Sequence, residues 1–204
     1  MKILIAHEFI VPADGPDLHG KLFNTLKNAN INEFSPNSKD SKKVIFHCEQ
    51  NFLFCQTAQK PTSNIPTRLK TLSVNTNSAI KGWVTLSNYR SCGRTPQESQ
   101  AYLDKHGQLP KGSASKIYRL LNDEQFEDMY TRLFKQNGIV LTGSSKTRHP
   151  LNAFDLSKAS KQLNAWEVYF EGFIENLDLF EHAWHNGVGR TKTYGFGKLR
   201  VETI

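Results

Sequence analysis

The sequence predicts an α+β protein made of two tandem βαββαβ units, on three observations. Short alternating apolar runs and segments of helical periodicity follow one another in an order that occurs twice. The second pass starts near Ala79, so each pass has room for a small domain. A glycine- and cation-rich stretch at 186–201 then leads into a last strand. This order is the split βαβ pattern of ferredoxin-like (RRM-like) domains. The chain therefore divides into residues 1–78 and 79–204.

In the first pass, residues 2–11 alternate as a strand and Pro12–Gly15 read as a turn. Pro16 suits a first helical position, and Leu18, Leu22, Leu26 and Ala29 follow at helical spacing to about Asn30. Residues 30–43 are polar and read as loop. Val44–Cys48 and Phe52–Gln56 form a hairpin around Glu49-Gln50-Asn51. After Pro61, one helical turn is expected within 62–69 and a strand over 70–76.

In the second pass, Trp83–Ser87 alternate as a strand. Asn122-Asp123-Glu124-Gln125 is a capping-box start, with Phe126, Met129, Tyr130, Leu133 and Phe134 on one helical face until Gly138. Strands at 139–142 and 165–174, a helix at 177–185 and a strand reaching Val201 complete the unit. Residues 90–121 and 143–164 are too long for ordinary connections, and both are basic, which marks them as functional loops.

Composition narrows the function. The apolar share is 38%, and no apolar run approaches the ~18 residues a spanning helix requires, so no membrane partner is expected. The start reads as a strand rather than a signal peptide, so the expected compartment is the cytoplasm. Cys48, Cys55 and Cys92 form no CxxC or zinc spacing and read as buried thiols, and no metal or other cofactor is expected. The net charge of +7 is local: residues 90–119, 142–166 and 186–201 together carry +11, and the remainder is acidic. Clustered basicity suits a polyanion track.

Residues 186–201 hold four glycines and four cations without an acid. Gly187, Gly189, Gly195 and Gly197 permit backbone N–H groups to wrap an anion, which Arg190, Lys192, Lys198 and Arg200 would attract. The bland alternative is a glycine-rich hairpin entering an edge strand. A Walker loop is excluded because Thr191 precedes Lys192, and the dinucleotide fingerprint because Lys192 stands where its third glycine belongs.

These features resemble the CasE-type pre-crRNA endoribonucleases of CRISPR systems. The likeness rests on Leu18-His19 at the start of the first helix, Phe46-His47-Cys48-Glu49, and Gln56-Thr57-Ala58-Gln59-Lys60-Pro61. It rests also on Phe170-Glu171-Gly172 and on Gly187-Val188-Gly189, Lys192, Gly195-Phe196-Gly197 and Leu199. The chain departs from the family at Leu86-Ser87-Asn88-Tyr89-Arg90, which lacks the family's proline, and at Pro16, where some members carry tyrosine.

The resemblance implies metal-independent cleavage of CRISPR repeat RNA at the foot of its stem-loop, leaving a 2′,3′-cyclic phosphate and a 5′-hydroxyl. It also implies retention of the crRNA product in a Cascade-type complex with other subunits. His19 would be the proton-transfer residue and Lys21 would meet phosphate charge. Lys111, Lys116, Arg119, Lys146, Arg148, Lys158 and Lys161 are expected to grip the stem. His7, His47, His106, His149, His182 and His185 read as structural. A non-catalytic crRNA-holding subunit of the same superfamily is the alternative, and an RNA-binding module unrelated to CRISPR a third reading.

Overall fold

A computed structural model describes residues 1–12, 18–29, 31, 33–34, 43–50, 52–111, 115–148, 154–156, 161–163, 165–189 and 196–204, with backbone only at 18–20, 154–156 and 161–163. Two four-stranded antiparallel sheets form its frame. The first comprises β1 (Lys2–Pro12), β2 (Ile45–Glu49), β3 (Phe52–Thr57) and β4 (Arg68–Val74), in the order β2-β3-β1-β4. Helix α1 (Leu18–Asn28) connects β1 to β2.

The second sheet comprises β5 (Ala79–Ser87), β8 (Ile139–Arg148), β11 (Ala165–Ile174) and β12 (Arg200–Thr203), in the order β12-β5-β11-β8. Helix α3 (Asp123–Gln136) precedes β8, and α4 (Leu177–Asn186) follows β11. Both sheets thus have the strand order of a ferredoxin-like unit, and the second has both of its helices.

The first unit lacks the second helix. Instead of the helical turn expected within 62–69, residues 58–67 run through bends into β4. Pro66 removes an N–H and forces Ile65 toward extended backbone. The Glu33 carboxylate accepts the N–H groups of Thr62 (2.9 Å) and Ser63 (3.0 Å), which fixes the segment without a helix.

The long basic connections are also structured. Residues 90–121 contain β6 (Tyr89–Gly93), α2 (Pro96–His106) and β7 (Lys116–Leu120), with β6 and β7 paired as an antiparallel ribbon. Thr95 and Glu98 form a reciprocal capping box on α2, and Gly107 (φ 72°) closes it. In 143–164, β8 continues to Arg148 and β9 (Phe154–Leu156) pairs with β10 (Lys161–Leu163).

Sheet one buries different faces at its two ends. Leu4 and Ala6 of β1, with Leu72 and Val74 of β4, join the core that holds Phe180, Ala183 and Trp184 of α4. Phe9 and Val11 point the other way and pack with Leu22 and Leu26 of α1. Strand alternation places residues 4 and 6 opposite 9 and 11. The two units consequently share a core, and Gln56 Nε2 donates across their junction to Trp184 O at 2.8 Å.

Candidate nucleic-acid interface

The glycine loop is built from the end of α4. Gly187 terminates that helix, and its N–H donates to Ala183 O at 2.7 Å. Val188 N–H then donates to Gly197 O, and Gly197 N–H to Thr85 O, both at 2.8 Å. Gly197 has φ 79°, and a Cβ there would lie 2.0 Å from Val188 O, so no other residue fits without displacing backbone. Val188, Phe196 and Leu199 are buried anchors at the two ends of the loop.

This geometry corrects part of the glycine expectation. The N–H groups of Gly187 and Gly197 serve protein carbonyls, so these two residues shape the loop rather than wrap an anion. Gly189 (φ 73°) packs beside the Leu133 side chain. Arg190, Lys192 and Gly195 lie outside the described residues.

Lys198 also departs from its expected RNA-binding role. Its side chain is 1% exposed, and Nζ donates to Glu8 Oε1 at 3.2 Å and Phe54 O at 3.1 Å. Arg68 and Lys70 reach the same carboxylate at 2.8 and 3.3 Å. Burial pushes the Glu8 carboxyl upward, but Lys198, Lys70 and Arg68 outweigh it and hold the group at about 2. Burial lowers the Lys198 ammonium to about 8, with Glu8 opposing the shift. Arg200 is likewise turned inward, 2.7 Å from Glu167 and stacked 4.6 Å from the Trp83 ring centroid. Sequence reasoning missed Glu8, although an acid within an apolar strand was the available signal.

His19 lies in the first turn of α1, with its backbone alone described. Lys21 is half-buried on the next positions. Leu22, three residues beyond His19, belongs to the same apolar cluster as Phe196, the residue after Gly195. The cluster thus links the helix that bears His19 to the end of the glycine loop. His47 is buried and stacked on Phe54, with ring centroids 5.0 Å apart. His106 lies against Tyr102, and His149 is outside the described residues.

Of the expected stem-gripping cations, Lys111, Lys116, Arg119 and Arg148 are exposed. Arg119 makes two bonds to Glu98, at 2.9 and 2.7 Å, and Lys146 is drawn onto Asp123 O at 3.0 Å beside Glu127. Both are committed to partners within the fold. Lys161 lies in β10, and Lys158 is outside the described residues.

No protein-family model matches the chain, and no curated protein sequence matches it. Solved structures do match. Cas6e from Escherichia coli K-12 superposes with a TM-score of 0.65 at 14% identity, covering 98% of this chain and 100% of that one. The CRISPR endoribonuclease Cse3 bound to a 19-nucleotide RNA gives 0.65 at 12% identity, covering 98% of each chain. A chain of a CRISPR RNA-guided surveillance complex in a pre-nicking state gives 0.56 at 16% identity, covering 98% and 100%. The chain has the fold of these CRISPR proteins along its whole length. No helix among the described residues is long and apolar enough to cross a membrane.

Proposed function

We propose that this chain is a metal-independent endoribonuclease that cleaves CRISPR repeat RNA at the foot of its stem-loop and stays on the crRNA product within a Cascade-type complex. One observation carries the reading beyond fold: Leu22 and Phe196 share an apolar cluster, tying the His19 helix to the glycine loop. A ribose-phosphate lying between them would meet the imidazole, Lys21 and the cations of 190–192 together. His19 moves a proton during in-line attack of the 2′-hydroxyl on phosphorus, and Lys21 with the loop stabilises the crowded phosphate. The start of α1 adds favourable partial charge for that anion.

The test is incubation of the protein with a hairpin from its own repeat array in EDTA. Cleavage to a cyclic-phosphate end is expected from wild type, while His19→Ala binds the hairpin and leaves it uncut. Intact RNA at micromolar wild-type protein overturns the nuclease reading. Loss of binding together with cleavage in His19→Ala would make the residue structural. Pro16, in the place of the family's tyrosine, favours the second reading, a non-catalytic crRNA-holding subunit. That reading requires tight hairpin binding without cleavage by wild type.

A further inference from the structure

Lys198 and Glu8 are buried charges that the proposed chemistry leaves without a task. Around Lys198, the chain buries Phe196, Leu199 and Val201, all apolar. The lysine side chain is itself 1% exposed, so a methionine or leucine would fill the same interior without the penalty of burying a charge. What the ammonium adds is direction. It donates to Glu8 Oε1 on β1 and to Phe54 O on β3, which ties the chain just after the glycine loop to two strands of the first sheet.

The carboxylate is also held from β4, where Arg68 reaches Oε2 and Lys70 shares Oε1. Glu8 therefore keeps its place and its charge, and serves Lys198 as a fixed anchor. The titratable groups around Lys198 are Glu8, Lys70 and, beyond the carboxylate, Arg68, together with the Cys55 thiol, which burial keeps protonated.

This anchor stands beside the packing that links the loop to α1. Phe9 follows Glu8, Phe196 precedes Lys198 by two residues, and both belong to the apolar cluster that contains Leu22. Apolar burial is non-directional and lets one surface slide on another. A hydrogen-bonded ion pair in the interior does not, and fixing register is its best-attested use.

Resting on the nuclease reading above, we infer that Lys198 is a positioning residue for the cleavage reaction: bound to Glu8 and Phe54 O, it fixes the end of the glycine loop against the helix that carries His19. Buried as it is, it touches no RNA. Its contribution is to the rate of cutting and not to the grip on the hairpin.

The experiment compares wild type, Lys198→Met and Glu8→Met/Lys198→Met in melting temperature, in single-turnover cleavage of a repeat hairpin, and in affinity for that hairpin made uncleavable by a 2′-deoxy nucleotide. Lys198→Met leaves a buried carboxylate short of a partner and should melt lower, whereas the double variant replaces both charges by apolar side chains and should regain stability. Both should bind the hairpin as wild type does and cut it on the order of a hundredfold more slowly, the effect of a misplacement of about 1 Å. A double variant that regains stability and cuts at the wild-type rate overturns the inference, because the pair then only stabilises. So does a loss of affinity in step with the loss of rate, which would put Lys198 in the RNA grip.

The pH profile supplies a second readout. Burial brings the Lys198 ammonium down to about 8 while Glu8 stays ionised, so the pair is complete below pH 8 and weakens as pH rises through that value. Wild-type cleavage should decline above pH 8 with hairpin affinity unmoved, and the slow cleavage by Lys198→Met should lack this decline. A decline that persists in Lys198→Met belongs to another group and overturns the inference.

Failure of the nuclease reading shows itself differently, as a wild type that cuts no hairpin. Amide exchange then decides the anchor. The N–H groups of Val188 and Gly197, bonded to Gly197 O and Thr85 O, should exchange at least about tenfold faster in the double variant while those of α4 keep their rates. Unchanged exchange at Val188 and Gly197 overturns it.

Discussion

Glu8 is an acid inside a sheet, surrounded by Lys198, Lys70 and Arg68 and held at about 2 against an ordinary 4.5. Because the folded value is depressed, the stability it contributes is present above pH 4.5 and is lost as pH falls from 4.5 toward 2. The linked energy is about 3 kcal/mol, and Glu8→Gln should flatten the stability profile across that window, as read by urea midpoints. Lys198→Met removes the buried counter-charge and should cost roughly 3 kcal/mol at neutral pH. Gly197 supports a separate expectation. With φ 79° and a neighbouring carbonyl 2.0 Å from any Cβ, Gly197→Ala should cost at least about 3 kcal/mol, whereas Gly93→Ala, which meets nothing within 4 Å, should stay within about 0.5 kcal/mol in a thermal melt.

The β9–β10 arm and the β6–β7 ribbon are both insertions in the second unit, and both carry cations expected to grip RNA. Arg119 on the ribbon is already neutralised by Glu98, while Lys161 opens β10. Under the proposed function, Lys158→Ala/Lys161→Ala should reduce the salt slope of hairpin binding by roughly 2, and Arg119→Ala should barely change it. Filter binding across a salt series separates the two outcomes.

The same elements mark what the sequence made legible. Alternation and helical spacing located β1, β11, α3 and α4 almost to the residue, because each buries one face, while α1 ends at Asn28, short of the expected Asn30. Thr95-Pro96-Gln97-Glu98 and Gly107 were equally plain signals for α2. They were obscured because that helix buries no residue and so has no apolar stripe. The 58–67 segment misled for the opposite reason, since a distant carboxylate, Glu33, decides its shape. At the interface, the glycines and cations of 186–201 were visible as a composition. Which of them face solvent depends on Glu8 and Thr85, residues far away in sequence.

The shared core predicts how the chain comes apart. Leu4, Ala6, Leu72 and Val74 in the first unit contact the same cluster as Val84, Phe170 and Trp184 in the second, so neither can expose its surface without exposing the other's. All three tryptophans, Trp83, Trp166 and Trp184, follow residue 79, and the first unit has none. Tryptophan fluorescence therefore reports the second unit and, through Trp184, its junction with the first, whereas far-ultraviolet circular dichroism reports both units. Leu4→Ala, a change on a strand of the first unit, should destabilise by about 2–5 kcal/mol through the cavity it leaves in the common core. If the units unfold together, it shifts the fluorescence and dichroism midpoints equally. A fluorescence midpoint that stays in place while dichroism shifts would mean two independent domains, joined only by the turn at 75–78. Coincident transitions would also mean that the proposed site depends on both units: the helix carrying His19 and the loop following Trp184 keep their relation only while the packing between the units is intact.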